Sequence, residues 1–146
     1  MSRVRYFAYG SNLDADQMRR RCPTSQPVGR ARLPDYRLDF THLSKRWRGG
    51  AADVVPDSGG CVWGILYDMA ARELPLLDRY EAGYERILLE VEGDDGSARR
   101  AISYTVRRKG SFRPTRTYLD KMLAWGARFE LPDDYLTRLR TIRVRD

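Results

Sequence analysis

Apolar positions follow a strand-like period through most of the first hundred residues and a helical period near the C-terminus. Residues 3–9 carry Val4, Tyr6, Phe7 and Tyr9, an aromatic and β-branched set that predicts a strand. Gly10 permits a sharp turn after it. Ser11 or Asn12 then reads as the N-cap of a helix, with Asp14 and Asp16 in its first turn and Arg19, Arg20 and Arg21 at its negative end. Residues 23–27 predict a loop. Residues 28–41 contain two short strand-like pieces broken by the turn signal Pro34-Asp35. Residues 42–50 are polar, basic and glycine-ended, and predict a mobile surface loop. Residues 51–55 read as a short strand stopped by Pro56, with a turn at Asp57-Ser58-Gly59-Gly60. Residues 61–69 are nearly continuous in apolar side chains, as in a strand buried on both faces.

Residues 70–77 predict a short helix that turns Leu74, Leu77 and Ala71 inward. Residues 84–91 alternate, and pair across Gly93-Asp94-Asp95-Gly96 with residues 98–106 as a hairpin. From Thr115, Leu119, Met122, Leu123, Ala127 and Phe129 fall near a helical period. Pro132 restarts a helix carrying Tyr135, Leu136 and Leu139. Strands first and helices last predict an α+β domain with a mostly antiparallel, curved sheet. The length of 146 residues suits one domain, residues 1–146, with a real core.

Composition narrows the function classes. A hydrophobic content of 42% excludes a disordered tail. No apolar run approaches the ~20 residues that span a bilayer, so no membrane partner is expected. The N-terminus lacks a signal-peptide hydrophobic region, which makes the expected location cytoplasmic. Cys22, Cys61 and the single His42 are a poor zinc set, so no metal is expected and both thiols read as reduced packing residues. The net charge of +7 is spread along the chain and is mostly arginine. It comes with no nucleic-acid motif, so nucleic acid is not an expected partner. The basic balance instead favours anionic small molecules.

Two features carry candidate chemistry. The Gly10 turn delivers backbone N–H groups toward a helix N-terminus, an arrangement that binds carboxylates and oxyanions. Glu81 sits in Asp78-Arg79-Tyr80-Glu81-Ala82-Gly83-Tyr84, among aromatic and small residues with a bend available at Gly83. Such an acid is partly desolvated, which raises its pKa toward the range useful for proton transfer. Asp78 and Glu85 compete on sequence grounds. Asp78 reads as a tether of the turn, and Glu85, next to Tyr84 on a strand, points to the opposite face.

Tyr9-Gly10-Ser11-Asn12-Leu13 after an N-terminal strand resembles the γ-glutamylcyclotransferase-like (AIG2-like) superfamily. Later segments match in order. Trp47-Arg48-Gly49-Gly50-Ala51 resembles its Trp-x-Gly-Gly segment, and Val62-Trp63-Gly64-Ile65-Leu66-Tyr67 is similar to its central strand. Leu77-Asp78-Arg79-Tyr80-Glu81-Ala82-Gly83-Tyr84 resembles the segment bearing its catalytic glutamate. Tyr118, Gly126-Ala127, Leu131-Pro132 and Tyr135 fit its C-terminal helices.

The resemblance implies a small mixed, mostly antiparallel β-barrel flanked by helices. It implies Glu81 as general acid/base, with Tyr9, Gly10, Ser11, Asn12, Leu13, Tyr84 and Tyr104 binding substrate. The implied reaction is intramolecular aminolysis: the free α-amine of a γ-glutamyl amino acid or amine closes on its own γ-carbonyl and releases 5-oxoproline, without cofactor. Glu81 and the Gly10 turn must then meet, although about 70 residues separate them. A non-catalytic γ-glutamyl or carboxylate-binding module of the same fold is the alternative. Residues 41–48 read as a determinant of the leaving group; neither that group nor the oligomeric state is fixed by the sequence.

Overall fold

The structure, a computed structural model, describes residues 2–146. Five strands close into a barrel in the order β1, β3, β2, β4, β5. They are β1 (Arg3–Ala8), β2 (Gln26–Ser44), β3 (Gly49–Ala70), β4 (Tyr84–Gly93) and β5 (Ala98–Val106). All neighbours are antiparallel except β1 and β5, which close the barrel in parallel at Tyr6 and Ile102. The helices are α1 (Ala15–Arg21), α2 (Leu74–Arg79), α3 (Arg116–Arg128) and α4 (Asp133–Arg140). No helix among the described residues is long and apolar enough to cross a membrane.

The core joins barrel and helices. Phe7, Ile65, Tyr67 and Met69 from the strands and Leu13, Met18, Leu77, Leu119 and Met122 from the helical segments are fully buried. Each such side chain contributes about 1.5–3 kcal/mol by leaving water.

The β2–β3 ribbon differs from the expected short strands. It runs unbroken from residue 26 to residue 44 and back from 49 to 70, with register shifts at Pro27/Gly29, Pro34/Tyr36 and Phe40/His42. At Pro34 and Asp35 the missing proline N–H falls on an irregularity, where the ladder has no need of it. Asp35 takes a left-handed φ of 64° and its carboxylate accepts the Gly59 N–H. The expected turn at residues 57–60 is therefore an excursion within β3. The expected mobile loop at 42–50 shrinks to a four-residue hairpin tip, residues 45–48, because both strands continue to meet it. Ser44 Oγ accepts the Trp47 N–H, and Arg145 donates to the Arg48 carbonyl.

The helix caps also shift. Gly10 leads into a 3-10 turn, Ser11–Leu13, and Asp14 is the cap of α1, accepting the Gln17 N–H at 3.0 Å. Ser11 and Asn12 therefore precede the cap, and Asp14 lies outside the first helical turn. A 3-10 turn, Ala71–Glu73, likewise precedes α2, with Leu74 and Leu77 inward and Ala71 half-buried.

After β5 the chain runs back along the hairpin. Gly110 and Phe112 donate backbone bonds to Thr41 and Phe40, and Arg113 accepts from Gly50. Fully buried Asp53 anchors this passage, accepting from Thr41, Thr105, the Val106 N–H and Lys109. Thr115 then caps α3 by accepting the Tyr118 N–H. The cap fixes Tyr118 beneath Gly10.

Candidate active site

One cavity of about 430 Å³ collects most of the residues singled out in the sequence. Tyr9, Gly10, Ser11 and Asn12 line one side, and Glu81, Tyr84 and Tyr104 line another. Leu13 does not line it: the 3-10 turn directs that side chain into the core, where it is fully buried.

The turn is rigid for local reasons. Leu13 N–H returns to the Gly10 carbonyl and Asp14 N–H to the Ser11 carbonyl. Tyr67 hydroxyl donates to the Asn12 carbonyl at 2.7 Å. Gly10 has a negative φ, so its need for glycine is space: a Cβ there would lie 2.8 Å from the Tyr118 hydroxyl and 3.1 Å from Ala52 Cβ. Among the described residues the Gly10 and Asn12 N–H groups have no protein acceptor, which leaves two donors at the cavity.

Glu81 follows α2. Its N–H bonds back to Asp78 and its carbonyl accepts from Tyr84, which closes the bend. Gly83 completes that bend at φ +88°, a left-handed conformation that favours glycine; a Cβ there would also lie 2.5 Å from the His42 ring. The half-buried Glu81 carboxyl faces the turn, with Oε1 3.5 Å from Asn12 Nδ2. Burial pushes the carboxyl up to about 8; Arg21 opposes the rise and Asp78 adds to it. Burial outweighs the Arg21 charge, and among the described residues that guanidinium makes no direct ion pair with Glu81. It donates to Asn12 Oδ1 at 3.1 Å and stacks 4.4 Å from the Tyr80 ring centre.

The competing acids behave otherwise. Asp78 accepts from Arg86 and from the Tyr104 hydroxyl, and these bonds hold it below the usual carboxylate range. Glu85 is exposed. A second cavity of about 450 Å³ also touches Glu81 and is lined by Asp78, Arg86 and Arg107.

Hydroxyl allocation separates the tyrosines. Tyr9 donates to the Tyr104 carbonyl, Tyr84 to the Ala52 carbonyl and Tyr104 to Asp78. Those three line the cavity with their protons already committed. Tyr118 is different. Its hydroxyl accepts from the Ala52 N–H at 3.0 Å and from the Ser11 N–H, so its own proton remains available at the cavity wall. Tyr6 likewise accepts from Asn12 Nδ2 at 3.0 Å and retains its proton beside Glu81.

Sequence reasoning did not single out Tyr6, Arg21, Arg46 or Tyr118 as site residues, yet all line the cavity. Tyr118 had a signal, its place in the C-terminal pattern. Arg21 read only as a helix-end charge. Trp47, from the hairpin tip, packs edge-on against Tyr118 and beneath Lys121, roofing the cavity. No group of three or more His, Cys, Asp or Glu side chains suited to a metal exists among the described residues. Cys22 and Cys61 are free thiols, and burial pushes Cys22 up to about 12.

Comparison with known proteins places this geometry. The family model described as gamma-glutamyl cyclotransferase, AIG2-like, matches residues 6–139. The chain is 33% identical to the gamma-glutamylcyclotransferase of Mus musculus over 150 residues, covering 97% of this chain and 79% of that protein. The Homo sapiens protein of the same name matches at the same identity and coverage. A solved gamma-glutamyl cyclotransferase structure aligns with a TM-score of 0.94 at 30% identity, covering 99% of this chain and 90% of the other. YkqA from Bacillus subtilis shares the fold at a TM-score of 0.81, 24% identity, with 99% and 56% covered. A closed barrel that sets a glycine turn against a half-buried glutamate, matched over nearly the whole chain, makes this protein a member of the gamma-glutamyl cyclotransferase, AIG2-like family.

Proposed function

We propose that this protein is a γ-glutamylcyclotransferase that releases 5-oxoproline from a γ-glutamyl amino acid or amine, with Glu81 moving the proton. One observation carries the reading: a carboxyl raised to about 8 shares a cavity with two unpaired backbone N–H donors. The curated relatives named gamma-glutamylcyclotransferase support it.

In the empty site at pH 7, roughly a tenth of Glu81 is ionised, given its pKa of about 8. A substrate α-ammonium placed against it favours the carboxylate, because an opposite charge at close range lowers an acid's pKa. The α-ammonium of a γ-glutamyl group lies beside its own carboxylate, which holds its pKa above the ~7.7–8.0 of a chain-terminal amine. A carboxyl raised by burial narrows the gap to that amine relative to an ordinary glutamate, which lowers the cost of the proton transfer. The freed amine lone pair attacks the γ-carbonyl carbon, and that carbonyl's π electrons move onto its oxygen. The Gly10 and Asn12 N–H groups and the Tyr118 hydroxyl are the donors for this oxyanion and the α-carboxylate. Glu81 returns its proton to the leaving nitrogen, the C–N bond breaks as the carbonyl reforms, and the ring nitrogen gives up its second proton through the Glu81 carboxylate to the released amine, which leaves a neutral ring amide and an ammonium. Holding the five-atom chain folded supplies much of the acceleration. The free thiols suit a reducing, cytoplasmic setting.

The test is a panel of γ-glutamyl compounds with direct detection of 5-oxoproline. Release of 5-oxoproline with its amine in equal amounts is expected. Binding without product would leave the chain as a metabolite-binding module, and release of glutamate would make it an amidase.

A further inference from the structure

The charges at the cavity mouth do not match a substrate with a neutral leaving group. Lys45 and Arg46 come from the hairpin tip and Arg79 from the end of α2; all three line the cavity and are exposed. None has a carboxylate partner among the described residues. Nearby basic residues do: Arg86 pairs with Asp78, Lys109 with Asp53 and Lys121 with Asp14. The mouth thus gathers three such cations on one cavity. Tyr80 adds geometry, with Arg21 stacked 4.4 Å and Arg46 5.2 Å from its ring centre. That stacking orients Arg46 without neutralising it.

Resting on the proposed reaction, charges pair outward from Glu81, the only carboxylate among the described lining residues. The γ-glutamyl half brings one ammonium, which faces Glu81, and one α-carboxylate, which the turn donors and the Tyr118 hydroxyl receive. The α-carboxylate of a leaving amino acid takes one cation at the mouth. Two remain. A neutral leaving side chain leaves both unanswered, and a cationic one adds repulsion. We propose that Lys45, Arg46 and Arg79 form a specificity site that selects γ-glutamyl substrates whose leaving amino acid bears a side-chain carboxylate, glutamate or aspartate.

The decisive pair is γ-glutamyl-glutamate against γ-glutamyl-glutamine, which differ only in that carboxylate. Initial rates of 5-oxoproline release should give kcat/KM at least about fivefold higher for the glutamate compound, the scale of a few exposed charge contacts acting together. The difference should lie mainly in KM and shrink as salt rises, because these cations are exposed. γ-Glutamyl-lysine should be the poorest of the three. In K45Q/R46Q the glutamate-to-glutamine ratio should fall toward one, and in R46E the order should invert toward γ-glutamyl-lysine. The ratio is the readout, so a general loss of rate does not obscure it. A wild-type ratio within twofold, or a ratio that survives K45Q/R46Q, overturns the specificity site and leaves the cyclotransferase reading intact. Absence of 5-oxoproline from all three compounds overturns both.

Discussion

Replacing Glu81 by Gln should separate stability from activity in a pH-dependent way. The folded protein holds this carboxyl at about 8 against an ordinary value of 4.5. Between those values the folded state keeps a proton that the unfolded chain has released. Unfolding then releases a proton, so wild-type stability falls as pH rises through that window. At about 1.4 kcal/mol per pH unit, the ceiling on this loss is roughly 4–5 kcal/mol. Water reaching a half-buried carboxyl reduces the expected loss to about 1–3 kcal/mol. The Gln amide has the shape of the protonated acid and never ionises. At pH 5 the variant should match the wild type closely; at pH 9 it should be more stable by about 1–3 kcal/mol. Titrating groups remote from Glu81 are common to both proteins and cancel in the difference. Urea unfolding at pH 5, 7 and 9, followed by tryptophan fluorescence, measures it, while turnover should drop on the order of 100-fold or more at every pH. A stability difference that does not grow with pH would show that Glu81 is not held protonated. Near-normal turnover would remove it from the reaction.

Gly10→Ala should cost about 1–3 kcal/mol of stability and at least roughly tenfold in turnover, since its Cβ drives against the Tyr118 hydroxyl. Adding Tyr118→Phe removes that oxygen, so a double-mutant cycle read by urea unfolding should be non-additive in the relieving direction. Asp53→Ala strips Lys109, Thr41 and Thr105 of a fully buried acceptor and should cost about 3–5 kcal/mol, measured by denaturation. An N-acetylated γ-glutamyl substrate should release essentially no amine at saturation; release at a comparable rate would indicate hydrolysis.

Elements defined by local signals were legible. The β4–β5 hairpin, β1, α3 and α4 fall close to their expected bounds, whereas barrel closure was implied by the family resemblance and not by the periodicity. Local punctuation misled where a distant partner overrode it. Pro34-Asp35 and Pro56 read as strand ends, but β2 and β3 pair past both by shifting register. The run Ser11-Asn12-Leu13-Asp14 offers three good caps, and only the 3-10 turn decides for Asp14. In the site, residue identity was readable and hydrogen-bond direction was not. Tyr9 spends its proton 95 residues away and Tyr84 32 residues away, while Tyr118 is held by acceptor bonds from N–H groups and keeps its own. No local pattern encodes those choices.

In the proposed reaction, the same allocation lets one carboxylate serve as both base and acid. A glutamate in a direct ion pair with an arginine would stay ionised and return its proton poorly to a leaving nitrogen. Here Arg21 points to Asn12 and Tyr80 instead, and the Asn12 side-chain Oδ1 accepts from Arg21 and Gln17. Glu81 is left with a single long approach from the Asn12 amide and is neutralised by burial. The charge that ionises it is the substrate's own ammonium. Glu81 therefore becomes a base only when the nucleophile is in place, and becomes an acid again once the amine has been consumed in the ring. An acylated nitrogen fails twice in such a site: it lacks the lone pair for attack, and it brings no charge to ionise the base.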